Sequence, residues 1–414
     1  MLKMAGHVGK LFQSLALNQC NKNIKKLSPL RFMVPYISSE RTLYSKSSLG
    51  LDAFEQQKER TKFQLSNLED SFKDRMKSYV SDDKNMIFTE DLKNMVHLAN
   101  NAEDVELVVS MIRRFNKQNK QLRFGTFKFG PIVMRLFHSL NKPELAIECF
   151  KSEEFTGFFD QLISYQIYLD LLYENKMYKE VLESFDVIQN RQIEGALFPR
   201  NSIVIVLAAC FKMNNAESME YAFKLWKKMQ DAGYYPTRRA VTFCAALALN
   251  QGNPQAALEI VAQARNQGYT TVRNIKALTL AKLGRLEDVL PVLKTILEQD
   301  SGNQDVHTFN CDVMAQVKEC FVQADNAELN VEFKRIEQLF QNQGHISDKT
   351  LEEQLCSEIN SVPKSPVQQQ RQGNFNRSRQ NFDNRGYRQN YDNRSQRQGF
   401  RSNVRSRPGL EDLV

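Results

Sequence analysis

Between Glu106 and Glu144 the chain carries eight basic side chains and no acid: Arg113, Arg114, Lys117, Lys120, Arg123, Lys128, Arg135 and Lys142. Phe115, Phe124, Phe127 and Phe129 are interleaved with them. Cationic groups pair with phosphates and rings stack on unpaired bases, so this mixture suits a nucleic-acid strand. The bland alternative is a solvated helix face over a phenylalanine core. A second acid-free stretch, from Glu259 to Glu287, holds Arg265, Arg273, Lys276, Lys282 and Arg285. After Pro363 the composition collapses to Arg, Gln, Asn, Ser and Gly, and a short unit recurs: Arg371 with Phe375, Arg379 with Phe382, Arg388 with Tyr391, and Arg397 with Phe400. Too few aliphatic residues remain there to build a core, and alternating guanidinium and aromatic planes in a flexible chain fit a sequence-tolerant RNA clamp. A merely solvated or self-associating tail is the competing reading.

No pattern points to catalysis. The chain has no G-x-x-x-x-G-K-[ST] phosphate loop, no G-x-G-x-x-G turn, no H-E-x-x-H helix and no G-x-S-x-G elbow. Asp82 with Asp83 is the nearest approach to an aspartate cluster, and a solvated helix-start role accounts for it. The seven cysteines show no C-x-x-C spacing, and the five histidines are scattered. Neither a metal site nor any cofactor is therefore expected. Cys149, Cys210 and Cys244 sit among apolar residues and read as buried thiols of a reducing compartment.

The total charge of +8 misleads. Residues 1–48 and 363–414 each contribute +7, which leaves −6 for the chain between them. Within that middle part, residues 287–362 carry −10. Basic character is thus local, and any strand of nucleic acid would have to follow particular clusters.

The elements that would position these residues are helices in pairs. From Arg238, the residues Ala240, Phe243, Cys244 and Leu247 mark one helical stripe. Gln251, Gly252 and Asn253 break it, and Pro254 opens a second helix with Ala257, Val261 and Ala264 on one face, ended by Gly268. Aligning the small or β-branched residue of each second helix gives Val108, Ala146, Val181, Ala222, Ala257 and Val289, spaced 38, 35, 41, 35 and 32 residues apart. Such a unit cannot bury its apolar faces alone, so neighbouring copies must stack.

The stretches Lys224 to Thr237 (KLWKKMQDAGYYPT), Asn250 to Gly268 (NQGNPQAALEIVAQARNQG) and Ala281 to Leu293 (AKLGRLEDVLPVL) resemble pentatricopeptide repeats. The tetratricopeptide signature is absent, and the single tryptophan, Trp226, lies in a second helix. Phe127 to Leu140 and Arg238 to Gln251 carry a closer likeness to one member of the family. The resemblance covers roughly residues 89 to 300. It implies an all-α, right-handed superhelical solenoid of stacked helix-turn-helix repeats that presents its first helices to single-stranded RNA. By resemblance, Pro131, Gln166, Val204, Thr242 and Asn274 would select bases, with Gln161, Arg200, Thr237 and Val272 closing the repeats. None of these combinations matches the family's usual pairings, so sequence preference should be weak. Pro131 and Val204 offer no side-chain hydrogen bond at all.

The expected organisation is a mitochondrial presequence over residues 1–48, basic and nearly acid-free, with processing between Arg41 and Gly50. A helical cap follows over 49–88, in which 51–80 read as one charged amphipathic helix with Phe54, Leu65, Leu68 and Phe72 on its apolar side. About six repeats fill 89–302, acidic helices fill 303–362, and the tail fills 363–414. Three apolar faces mark the acidic helices: Val313, Val317, Cys320 and Phe321; Phe333, Ile336, Leu339 and Phe340; Leu351, Leu355 and Ile359. No apolar run approaches the ~20 residues that span a bilayer. The expected protein is a non-enzymatic mitochondrial matrix factor that binds single-stranded mitochondrial RNA, without a small-molecule substrate, and supports maturation, processing or stabilisation of mRNA and so respiratory-chain function. RNA-processing factors or the mitochondrial ribosome are its expected company. The alternative is a protein-binding helical adaptor on that ribosome.

Overall fold

The computed structural model describes residues 42–82, 84–122, 127–299, 308–324 and 326–360. Residues 1–41 of the presequence expected over 1–48, Asp83, Arg123, Phe124 and the whole tail lie outside the described residues. So do its Arg371, Phe375, Arg379, Phe382, Arg388, Tyr391, Arg397 and Phe400.

Helix boundaries follow local chemistry. The Thr237 hydroxyl accepts from the Ala240 amide to start the helix Arg238–Asn250. Gly252 takes a φ of +72°, a left-handed turn that glycine adopts without strain. Asn253 then caps the next helix through the Ala256 amide, and Pro254 occupies its first position. That second helix stops at Ala262, six residues before the expected stop at Gly268. The Gln267 amide folds back and donates to the Val261 and Ala264 carbonyls at 3.0 and 2.9 Å. A side chain thus satisfies the helix-end carbonyls that a longer helix would have satisfied.

In chain order the α-helices are α1 Lys46–Leu49, α2 Leu51–Leu65, α3 Glu69–Ser81, α4 Thr89–Leu98, α5 Ala102–Leu122, α6 Gly130–Ser139, α7 Pro143–Lys151, α8 Leu162–Glu174, α9 Tyr178–Arg191, α10 Arg200–Met213, α11 Ala216–Asp231, α12 Arg238–Asn250, α13 Pro254–Ala262, α14 Thr270–Lys282, α15 Leu286–Gln299, α16 Cys311–Gln323, α17 Ala327–Gln343 and α18 Leu351–Leu355. They pair from α4/α5 to α14/α15, giving an all-α repeat solenoid. The first helices α6, α8, α10, α12 and α14 pack one on the next, and α16 continues the row against α14. Val108, Ala146, Val181, Ala222, Ala257 and Val289 are each completely buried in the second helix of a pair.

The α16/α17 pair is closed by a two-residue parallel ladder, Phe309–Asn310 (β1) with Ile346–Ser347 (β2). Its core is Val313, Val317, Phe321, Phe333, Ile336 and Phe340, whereas Leu339 is exposed. The third expected face is helical only to Leu355; Ile359 forms an isolated parallel bridge with Tyr44.

At the other end, residues 51–80 form two helices, α2 and α3, broken at 66–68, where the Leu68 amide bonds to Leu65. Phe54 and Phe72 are buried, but Leu68 is 59% exposed because the break turns it outward. Leu43, Tyr44 and Leu49 are buried as well. Cleavage between Leu43 and Gly50, within the expected processing range, would remove these packed residues. Among the described residues, no helix is long and apolar enough to cross a membrane.

Candidate nucleic-acid interface

The first helices of the middle pairs are buried all round. Residues 164–173 of α8, 202–211 of α10 and 240–249 of α12 are buried without exception. A helix in the wall of an open groove should keep one polar stripe in water. Here that stripe is covered, and the expected base-selecting side chains lie beneath the cover.

Gln166 accepts from the Asn201 amide at 2.8 Å. Thr242 donates to the Arg239 carbonyl at 3.0 Å. Asn274 is fully buried; it donates to the carbonyls of Thr270 and Thr308 and accepts from the Asn310 amide at 2.9 Å. Val204 and Val272 are core residues. In this arrangement Thr242, Asn274, Val204 and Val272 offer no free polar edge to a base, and Gln166 is buried with its Oε1 engaged. Gln161 bonds to Phe158 and Ser164, and Thr237 caps α12. Arg200, at the first turn of α10, is exposed.

The cover is made of two segments, one at each end of the described residues. Residues 42–50 and 351–360 meet at the Tyr44–Ile359 bridge, where the Ile359 amide donates to Leu43 at 2.9 Å and the Ser45 amide donates to Ile359 at 3.2 Å. The Ser48 hydroxyl adds a bond to the Ile359 carbonyl at 3.0 Å. This clasp is tied to successive first helices. The Arg135 guanidinium donates to the Leu49 carbonyl at 2.8 Å, and the Tyr44 hydroxyl to the Asn201 carbonyl at 3.3 Å. Arg239 donates to the carbonyls of Leu355 and Gln354 and to the Ser357 hydroxyl. Lys212 pairs with Glu352 at 2.6 Å.

Under the N-terminal half of the clasp sit His138 of α6 and Asp170 and Glu174 of α8. His138 Nε2 lies 3.2 Å from Asp170 Oδ2 and 3.6 Å from Glu174 Oε2. The three ligand atoms fall within 4.8 Å of one another, close enough to hold one cation or to share protons. Burial, then the neighbouring Asp170 charge, pushes Glu174 up to about 7. Burial also raises Asp170, and the His138 hydrogen bond only partly offsets it. Burial alone would lower His138, but its bond to Asp170 and the two acidic charges raise it. The cluster therefore holds protons more tightly than the unfolded chain. Sequence reading missed it because the histidine and the acids are brought together only by helix stacking.

The first basic cluster divides into structural and free members. Arg113 pairs with Glu154 at 2.9 Å and lies over the Phe155 ring. Arg114 donates to the carbonyls of Val80 and Asn85, tying α5 to the last turn of α3 and to the chain after it. Arg135 belongs to the clasp. Lys117, Lys120 and Lys128 are exposed. Phe115 and Phe129 are core, while Phe127 stays 41% exposed with the Lys93 ammonium over its ring. Cys149 and Cys210 are buried thiols, each pushed up to about 12 by that burial. Cys244 is buried too.

Sequence reading overlooked Tyr235, Arg238 and Tyr269, which stand exposed in the loops before α12 and α14. A signal for them exists: glycine followed five residues later by arginine recurs at Gly195 and Arg200, Gly233 and Arg238, and Gly268 and Arg273.

No family model matches the chain. Curated proteins do. Pentatricopeptide repeat-containing protein 2, mitochondrial, of Danio rerio is 31% identical over 257 residues, 62% of this chain and 66% of that protein. The Homo sapiens protein of the same name is 28% identical over 321 residues, 77% of this chain and 81% of that protein. The one from Xenopus laevis is 27% identical over 320 residues, 77% and 82% of the two chains. In sequence over about three quarters of its length, the chain is similar to these mitochondrial pentatricopeptide repeat-containing proteins, and its stacked helix pairs fit that likeness.

Proposed function

We propose that the chain is a mitochondrial RNA-binding scaffold without catalytic activity of its own, acting in the matrix in the maturation, processing or stabilisation of mitochondrial mRNA and thereby supporting respiratory-chain function. The observation that carries this reading is the similarity to pentatricopeptide repeat proteins named as mitochondrial, which runs along about three quarters of the chain. Exposed Lys117, Lys120 and Lys128 beside the exposed ring of Phe127, and the Arg/aromatic composition after Pro363, supply phosphate and base contacts consistent with it. The scaffold would hold a single strand away from competing base pairing, or shield it, while processing factors act.

A second reading, a protein-binding adaptor associated with the mitochondrial ribosome, is favoured by the clasp. The face that the family turns to RNA here holds polypeptide. Ultraviolet crosslinking of the tagged protein in intact mitochondria separates the two. RNA crosslinks focused on an mRNA or a transcript junction support the scaffold. Their absence, or restriction to ribosomal RNA, supports the adaptor.

A further inference from the structure

The loops that precede α10, α12 and α14 lie side by side along one edge of the stack. Phe198 and Tyr234 join the first two by a ring contact at 5.6 Å. Two crossed cation–π pairs join the second and third: Arg238 lies 3.8 Å from the Tyr269 ring centre, and Arg265 lies 4.7 Å from that of Tyr235. In the first two loops a glycine in the left-handed region, Gly195 at φ +69° and Gly233 at φ +65°, turns the chain so that an arginine opens the next helix five residues on. Arg200 and Arg238 therefore occupy equivalent positions, spaced by packed first helices about 8–10 Å apart.

These rings are not spent on packing. Tyr235 is 72% exposed and Tyr269 is 43% exposed, so each carries a guanidinium on one face and leaves surface for a second planar partner. Among the described residues, no carboxylate is within ion-pair distance of Arg200, Arg238, Arg265 or Lys276. Beside Arg265 opens a cavity of about 760 Å³ whose lining includes Lys276 and no acid. Asp231, at the end of α11, is the acid nearest in sequence to the middle loop.

We propose that this edge, carried by Arg200, Tyr235, Arg238, Arg265, Tyr269 and Lys276, is a binding site for single-stranded RNA, with bases stacking on the two tyrosine rings and phosphates held by the basic groups. The site rests on the RNA-binding reading above and gives that reading a place outside the clasped face. Its contacts are to backbone and ring faces, so binding at this edge is tolerant of sequence.

The test uses the full chain and a fluorescent oligouridine probe. Arg238→Ala with Arg265→Ala removes two phosphate partners, so the salt dependence of log K should flatten by about 1.4. Tyr235→Ala with Tyr269→Ala should weaken binding about tenfold or more. Tyr235→Phe with Tyr269→Phe, which keeps both rings, should bind as the parent does. Crosslinking the unaltered protein to 4-thiouridine RNA supplies a readout that no substitution disturbs: labelled peptides should include residues 233–238 or 265–273. Parental affinity and salt slope in both alanine variants, or crosslinks confined to other segments, overturn the proposal while leaving RNA binding intact. A full chain that binds no probe in any form removes the RNA-binding reading itself, and this site with it.

Discussion

Arg239 holds the C-terminal half of the clasp, and its removal should open the clasp without unfolding the stack. Its guanidinium donates to the Leu355 carbonyl, to the Ser357 hydroxyl at 2.9 Å, and at a long 3.4 Å to Gln354. Counting two effective bonds from a charged donor, each worth roughly 1.5 kcal/mol, Arg239→Ala should cost the clasp about 3 kcal/mol. A loss of that size is about a hundredfold rise in the open population, since each 1.4 kcal/mol is tenfold. Hydrogen exchange reads it directly. The Ile359 and Ser45 amides bond across the bridge, so peptides containing 42–48 and 354–360 should exchange about a hundredfold faster. Peptides from α10 to α14 should keep their parental rates. Unchanged exchange at both ends would refute the role assigned to Arg239. Equal acceleration everywhere would refute the separation of clasp from stack.

Two further outcomes follow from buried polar groups. Asn274→Ala strands the buried Asn310 amide and should lower stability by about 2 kcal/mol in denaturant unfolding, with RNA affinity unaltered; unaltered stability with changed RNA selectivity would return Asn274 to base reading. Glu174, pushed up to about 7 by burial, has a folded pKa above its unfolded value, so its contribution is present in acid and lost as pH rises through 7. Asp170 and His138 are raised as well and act in the same direction. Stability should therefore fall between pH 5 and 8, and Glu174→Gln should flatten the fall; a parent whose melting temperature rises over that range would contradict the assignment.

Features set by a few neighbouring residues were legible beforehand. Thr237, Gly252 and Pro254 act within a turn of where they stand, and the six second-helix residues report a period that stacking enforces. The stop at Gly268 was misjudged because the capping side chain, Gln267, has no consensus role as a helix end. The break at 66–68 was invisible because apolar residues continue at helical spacing through it. The clasp was illegible for another reason: its two strands are single-residue bridges, too short for any periodic signal, and their partners are 311 residues apart at Ser48 and Ile359. The family resemblance marks Gln166, Thr242 and Asn274 as base-selecting, and only contacts distant in sequence reveal that they are covered. At the loop edge, the five-residue step from glycine to arginine was readable, but the pairing of Arg238 with Tyr269 across loops was not.

An open row of helix pairs can be assembled from either end, each pair resting on the last. The bridge between Tyr44 and Ile359 changes the order of events. Arg135 and Asn201 can hold Leu49 and Tyr44 earlier, but Ile359, which Ser45 and Ser48 bond across the bridge, arrives only more than 300 residues later. Loop-closure entropy grows only slowly with length, so the final state bears this easily, but the rate of reaching it does not. During synthesis or passage through a translocation pore, the first-helix face must wait uncovered, offering its apolar groups to any chaperone or strand at hand. Completion is then a single late event, and a chain cut short after α15 but before Leu355 keeps its stacked pairs yet never closes.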